Sequence, residues 1–224
     1  MLHRFAPGIR VTSRYTPYLL DPSRLSLGPF VGAVIGALLV TSLVGVSGEF
    51  PLSDDWSYAH TAKHLCEHGE LELLPWTGAS VILQAGYGAL LCKLMGFSFE
   101  TLRYSTLVLA VVAVTCFGVL LGQLGIRGKT AALAMVLFGL NPLFVNLSFT
   151  FMTDLPFTAL ALAATCLYVS GLTRRNSMVL MTASLLCAAS LLVRQHGIFV
   201  AAAAATVFAV IAYLLARSLE DQVS

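Results

Sequence analysis

Long apolar stretches alternate along the chain with short polar interruptions. Six runs are long enough to cross a bilayer as helices: residues 29–47, 104–122, 130–149, 155–173, 177–193 and 197–216. A hydrocarbon core takes about 17–25 predominantly apolar residues in helical form. A further stretch at 79–96, "ASVILQAGYGALLCKLMG", is apolar on average but carries Gln84, Lys93, Gly86, Gly88 and Gly96. It is expected to lie along the membrane surface or to re-enter it, with its lysine and glutamine turned to water or to a cleft. Residues 48–78 are more polar. Within them "SDDWSYAHTAKHLCEHG" predicts a helix: Ser53 can cap it, Asp54 and Asp55 sit in its first turn, and Gly69 can end it. Trp56, Tyr58 and Trp76 suit a membrane–water interface. The expected fold is all-α: a polytopic transmembrane helical bundle with about six spanning helices, plus interfacial helices in the first external loop.

Composition narrows the class. Of 224 residues, 58% are hydrophobic and 11% charged, more apolar surface than a soluble domain of this size can hide. The net charge of +2 comes from scattered basic residues, which leaves no footprint for nucleic acid. The run at 29–47 follows a basic stretch and exceeds a cleavable signal core of about 7–15 apolar residues, so it reads as a retained first helix. The cysteines have no CxxC spacing. Cys116, Cys166 and Cys187 fall in apolar runs and read as small buried hydrophobes. Cys66 and Cys92 can pair if both face an oxidising compartment.

Charge orients the chain. Residues 1–27 hold Arg4, Arg10, Arg14 and Arg24 against Asp21, which predicts a cytoplasmic N-terminus by the positive-inside rule. The region after the first run is acidic: Glu49, Asp54, Asp55, Glu67, Glu70 and Glu72 against Lys63. If 79–96 does not cross, Arg127, Lys129, Arg174, Arg175 and Arg217 all fall inside. Asp54, Asp55, Arg103, Asp154, Arg194 and His196 all fall outside. If 79–96 crosses, the basic loops turn outward, against the rule. The organisation expected is a basic cytoplasmic segment at 1–28 and a membrane module at 29–224, with an external loop at 48–103.

Against this background a few residues carry chemistry. Asp154, in "SFTFMTDLPFTAL", is the single acid between Thr101 and Leu219. Thr153 or Asp154 can cap a helix whose first turn holds Pro156, and a carboxylate at a membrane boundary is also a functional candidate. The pair in "SDDW" can serve the helix dipole or act as a general base. Arg103 and Arg194 can snorkel to headgroups or hold a phosphate. "LLVRQHGIF" favours phosphate, because Arg194, Gln195 and His196 together interrupt an apolar hairpin. The candidate catalytic residues are therefore Asp54, Asp55 and Asp154. Arg103, Arg194, His196 and Tyr58 are the candidate substrate-binding residues. His60, His64 and His68 share one helical face, which reads as a polar face rather than a metal site. No Walker A loop, dinucleotide fingerprint, nucleophile elbow or HExxH motif occurs.

The ordered set "DDWSYAHTAKHL", "GYGALLCKLMGFSFETLR", "GIRGK", "LNPLFVNLSFTFMTDLPF", "TRRN" and "LLVRQHG" resembles the N-terminal half of GT-C-type glycosyltransferases. It is similar to the bacterial enzymes akin to protein O-mannosyltransferases and lipid A aminoarabinose transferase, from about residue 29 to 216. The resemblance implies a polyprenyl-phosphate-linked sugar donor, an acceptor protein, lipid or glycan, and a site on the external face of the cell membrane. It implies Asp54 as catalytic base, Asp154 as the second acidic position, and Arg103 and Arg194 as ligands of the carrier phosphate. Many relatives carry an acid or histidine followed by proline at the start of the interfacial segment, in some cases linked to a metal. Here "WTGASVILQAGY" has neither, so no cofactor is expected, and a divalent metal stays as the alternative. Relatives also continue with further helices, so the chain is expected to represent the N-terminal part. Two other readings stand beside the transferase: a transporter or flippase-like protein, with Asp154 deep in the bundle, and a non-catalytic truncated homologue.

Overall fold

The computed structural model describes residues 28–75 and 77–223. The basic N-terminal segment and Trp76 lie outside the described residues. The described residues form helices α1 (Gly28–Val44), α2 (Asp55–His68), α3 (Ile82–Met95), α4 (Phe99–Gln123), α5 (Gly128–Gly139), α6 (Pro142–Ser148), α7 (Asp154–Arg174), α8 (Ser177–Val193) and α9 (Gly197–Val223). The chain is the helical membrane bundle that the apolar pattern predicts.

The helix ends follow local chemistry. The Ser98 hydroxyl accepts from the Thr101 N–H, 3.2 Å, and caps α4. Asn141 and Asn176 do the same for α6 and α8 through their Oδ1 atoms. Gly69 ends α2 as expected, at φ +76°, with its N–H on the Leu65 carbonyl. Ser53 does not cap α2. Its own φ is +59°, and the Asp55 carboxylate turns back instead to the Leu52 N–H at 2.7 Å.

The expected count of six spans is corrected. Among the described residues three helices are long and apolar enough to cross a membrane, α4, α7 and α9, or four if α5 and α6 form one bent span. The run at 130–149 is not one straight helix, because Asn141–Pro142 breaks it and the two parts meet at 59°. Helices α1 and α8 have 17 residues each, which is ~26 Å of helix against a hydrocarbon core of about 30 Å. Backbone turns stop them early, at Gly45 with φ +76° and at an extended Arg194. Helix α3 has 14 residues, ~21 Å, too short to cross upright.

Helix α7 packs along α4 on one side and α8 on the other, while α1 leans on α4 and α9 on α8. Helices α2 and α3 pair with each other, and α3 also touches α8 and α4. The core that joins this pair to the bundle contains Tyr58, Ala59, Ala62, Val81, Ala85, Leu102 and Phe151. Small residues set its spacing. A Cβ on Gly88 would meet Ala62 Cβ at 2.8 Å and Phe151 Cζ at 2.9 Å. Cys66 of α2 and Cys92 of α3 form a disulfide with Cα atoms 6.2 Å apart, so the two short helices are also covalently tied.

Candidate functional site

Three connecting segments converge beside α2: the loop before it, the link from α6 to α7, and the turn from α8 to α9. Hydrogen bonds through main-chain groups hold them. The Asp55 carboxylate accepts from Leu52 N–H and, across 96 positions of sequence, from Phe151 N–H at 3.2 Å. The Phe151 carbonyl accepts from Gln84 Nε2 at 2.7 Å. Val81 N–H donates to the Val193 carbonyl at 3.2 Å, and Gln195 Nε2 to the Gly78 carbonyl at 3.3 Å. Gln84 is fully buried under Phe151, which corrects the expectation that it faces water or a cleft. Lys93 is exposed.

Asp54 and Asp55 are neighbours with opposite situations. Asp54 occupies the N-cap position, is exposed, and makes no capping bond through its side chain. Asp55 is fully buried. Burial pushes its carboxyl above the ordinary value, against the pull of the Phe151 and Leu52 N–H groups and the Arg103 charge, and the Asp54 charge adds to the rise. Asp55 therefore anchors the segments, while the Asp54 side chain stays exposed.

Tyr58 sits one turn along α2, 8% exposed. Burial raises its phenol above the ordinary range, while a hydrogen bond to the Thr153 side chain and the Arg194 charge draw it down. The charges of Asp154 and Asp54 also reach it. The charges of Asp54, Asp154 and Arg194 thus all reach one phenol, although they span 140 positions of sequence (54 to 194). Asp154 pairs with Arg194 through Oδ1 and Nη1, and Arg194 Nε donates to His196 Nδ1 at 3.3 Å. The arginine is placed at the C-terminal end of α8 and the acid in the first turn of α7, each at the helix end whose dipole favours its charge.

Arg103 is elsewhere in the same end of the molecule. It is 2% exposed. Its Nη1 donates to the Val46 and Gly48 carbonyls at 3.3 and 2.7 Å, and its Nη2 to the Phe50 carbonyl. The guanidinium also stacks over the Phe50 ring, 5.0 Å from its centre. Gly48 makes this grip possible. Its φ is +140°, and a Cβ there would lie 2.2 Å from the Phe50 ring. Arg103 is thus spent on holding the loop before α2. Glu49 in that loop accepts from the Phe99 N–H at 3.0 Å and from the Ser98 hydroxyl, which holds its carboxyl below the ordinary value.

The His60, His64 and His68 rings stack along α2, the last two with centres 4.4 Å apart. His64 bonds to Glu72 and to the Glu70 carbonyl. Among the described residues no group of three or more His, Cys, Asp and Glu side chains is placed to hold a metal ion. The residue missed in the sequence is Phe151, whose main chain joins Asp55 and Gln84. A polar Gln84 within an apolar helix was the one visible sign, and it marked an internal hydrogen bond rather than a wet face.

The family model for dolichyl-phosphate-mannose-protein mannosyltransferase matches residues 87–223, more than half of the chain. The match takes in Arg103, Asp154, Arg194 and His196, while Asp54, Asp55 and Tyr58 precede it. No curated protein and no solved structure matches the chain.

Proposed function

Because the chain belongs to this mannosyltransferase family of membrane glycosyltransferases, we propose that it moves a sugar from a polyprenyl-phosphate-linked donor to a hydroxyl acceptor on a protein, lipid or glycan. The observation that carries this reading is the Asp154–Arg194 ion pair with His196 beside it, within electrostatic reach of Tyr58 and, through it, of the charge on Asp54. Asp54 is the base. It takes the proton of the acceptor hydroxyl as that oxygen attacks the anomeric carbon. The new glycosidic bond forms while the bond from the anomeric carbon to the phosphate oxygen breaks. The phosphate departs as a stable anion, so no general acid is required. One carboxylate and a cation suffice, in contrast to the two working carboxylates of most glycoside hydrolases.

Arg194 is the cation suited to the departing phosphate, because its guanidinium is partly exposed and offers a planar fork. His196 orients it through Nδ1. Asp154 pairs with it, and Tyr58 lies within reach of its charge. Asp55 and Arg103 act on the chemistry by fixing the loop that carries Asp54.

The site faces the external side of the cell membrane, and the N-terminus is cytoplasmic. The Cys66–Cys92 disulfide supports that side, since such bonds persist in oxidising compartments. The short α3 supports it as well: with the 17-residue α1 and α8 crossing at the short end of the spanning range, an α3 that does not cross keeps Arg127, Lys129, Arg174 and Arg175 inside.

Removing a positioned general base typically costs about 10²–10⁴ in rate. Asp54→Asn is therefore expected to abolish transfer from a radiolabelled polyprenyl-phosphate sugar in membranes, with insertion intact. Transfer at the wild-type rate by that variant refutes the assignment.

A further inference from the structure

The Asp154–Arg194 ion pair poses a problem for a site that must receive a phosphate. Its guanidinium already has an anion. The formal charges of Asp54, Asp154 and Arg194 also sum to one negative charge, which opposes an incoming phosphate. The two arginines of this end of the molecule answer the problem differently. Arg103 is 2% exposed and gripped by three carbonyls, so it cannot change partner without opening the loop. The Arg194 and Asp154 side chains are 29% and 34% exposed, and a ligand can reach both.

We propose that Asp154 is the resting-state counter-ion of Arg194, and that the donor's phosphate displaces it from the guanidinium on binding. This rests on the transferase reading and adds the order of events at the site. Three features favour exchange over simple addition. The carboxylate meets Arg194 through a single pair of atoms, Oδ1 and Nη1, whereas a phosphate can engage a guanidinium through two parallel bonds. Arg194 need not move to accept it, because Nε stays on His196 Nδ1 and the main chain is held by Val81 on Val193 and by Gln195 on Gly78. Partly exposed ion pairs are weak and easily exchanged. Asp154, by contrast, stands on a fixed helix end with a movable side chain, so it is the carboxylate that leaves. Asp154 is then a positioning residue. It holds the arginine oriented in the empty site and releases it only to a better anion.

The exchange predicts an effect opposite in sign to that of a donor ligand. In wild-type chain reconstituted in nanodiscs, binding of a bare polyprenyl monophosphate is measured with Asp154→Asn, Arg194→Gln and the double variant. Asp154→Asn is expected to bind the carrier roughly two- to fivefold more tightly, the range set by an exposed ion pair. Arg194→Gln is expected to bind it more weakly. In the Arg194→Gln background, Asp154→Asn should tighten binding much less, because no guanidinium remains to compete for and only the through-space repulsion is relieved. Weaker or unchanged binding by Asp154→Asn overturns the proposal. So does equal tightening in both backgrounds, which marks repulsion through space.

A second measurement uses the wild-type chain alone, so it does not depend on the variants folding. Carbodiimide labelling of Asp154, read by mass spectrometry, should rise when the carrier binds. Protection or no change overturns the exchange, as does a wild-type chain that binds no carrier. The transferase reading is judged separately by turnover of Asp54→Asn.

Discussion

Asp55 and Phe151 are joined by a hydrogen bond from the Phe151 N–H to the Asp55 carboxylate, 3.2 Å long, across 96 positions of sequence. The same carboxylate holds Leu52 N–H at 2.7 Å, and the Phe151 carbonyl is held by Gln84. One buried acid thus ties the loop before α2 to the link that leads into Asp154. The acid that looks interchangeable with its neighbour in "DDW" fastens these segments, and Asp54 beside it stays exposed.

Asp55→Asn leaves one carbonyl oxygen for two N–H groups and turns an amide donor toward one of them. An unsatisfied buried donor costs about 1–3 kcal/mol. Thermal unfolding in detergent is expected to show that loss, with transfer reduced in parallel. Asp54→Asn is expected to melt with the wild type.

The two shifted carboxyls give opposite pH dependences. Burial raises Asp55 above its ordinary 3.8. Its contribution to stability is fully present below that value and is lost as pH rises through the raised pKa. The Ser98 hydroxyl lowers Glu49 below its ordinary 4.5. Its contribution is present above that value and is lost as pH falls through the lowered pKa. Melting temperature against pH should therefore flatten on the acid side for Glu49→Gln. For Asp55→Asn it should flatten just above pH 3.8.

Arg103→Lys is expected to destabilise the protein, because an ammonium cannot span the Val46, Gly48 and Phe50 carbonyls that the guanidinium holds. Lost hydrogen bonds to a buried charged group are worth about 1.5–3 kcal/mol. Steady-state kinetics distinguish this role from phosphate binding. A fall in kcat with donor KM unchanged fits a loop fastening, and a rise in KM alone points to direct contact with the donor.

Gly88→Ala places a methyl between Ala62 and the Phe151 ring, both within 3 Å of the added carbon. Overpacking of this kind costs about 1–3 kcal/mol. Because Phe151 carries the bond to Asp55, the variant should lose activity along with thermal stability. Gly86→Ala, with open space around its added carbon, is the matched control and should behave as the wild type.

Single cysteines at Ser53 and Lys129, in a background without the native cysteines, are expected to label from opposite sides of the membrane. Labelling of both from outside would turn α3 into a crossing helix and remove the external placement of the site.

The sequence by itself determined the class and the broad arrangement. Long apolar runs with rare charges have one stable home, a helical bundle in lipid, since only intrahelical bonds satisfy the backbone there. The weak run at 79–96 was legible as a helix interrupted by polar residues and glycines, and the lone Asp154 was legible as an acid at a helix start. Length and hydropathy did not reveal where helices stop, at Gly45, at Arg194 and at the Asn141–Pro142 break. Only the tertiary structure decided the roles of like residues. Asp54 and Asp55 are adjacent and chemically identical, yet helical geometry turns one toward solvent and the other onto Phe151, 96 positions away. Arg103 and Arg194 differ in the same way. One meets carbonyls curled around it by Gly48, and the other meets a carboxylate at the mouth of the bundle. Which partner a buried or half-buried charge finds depends on segments far apart in the chain, and no local pattern encodes that distance.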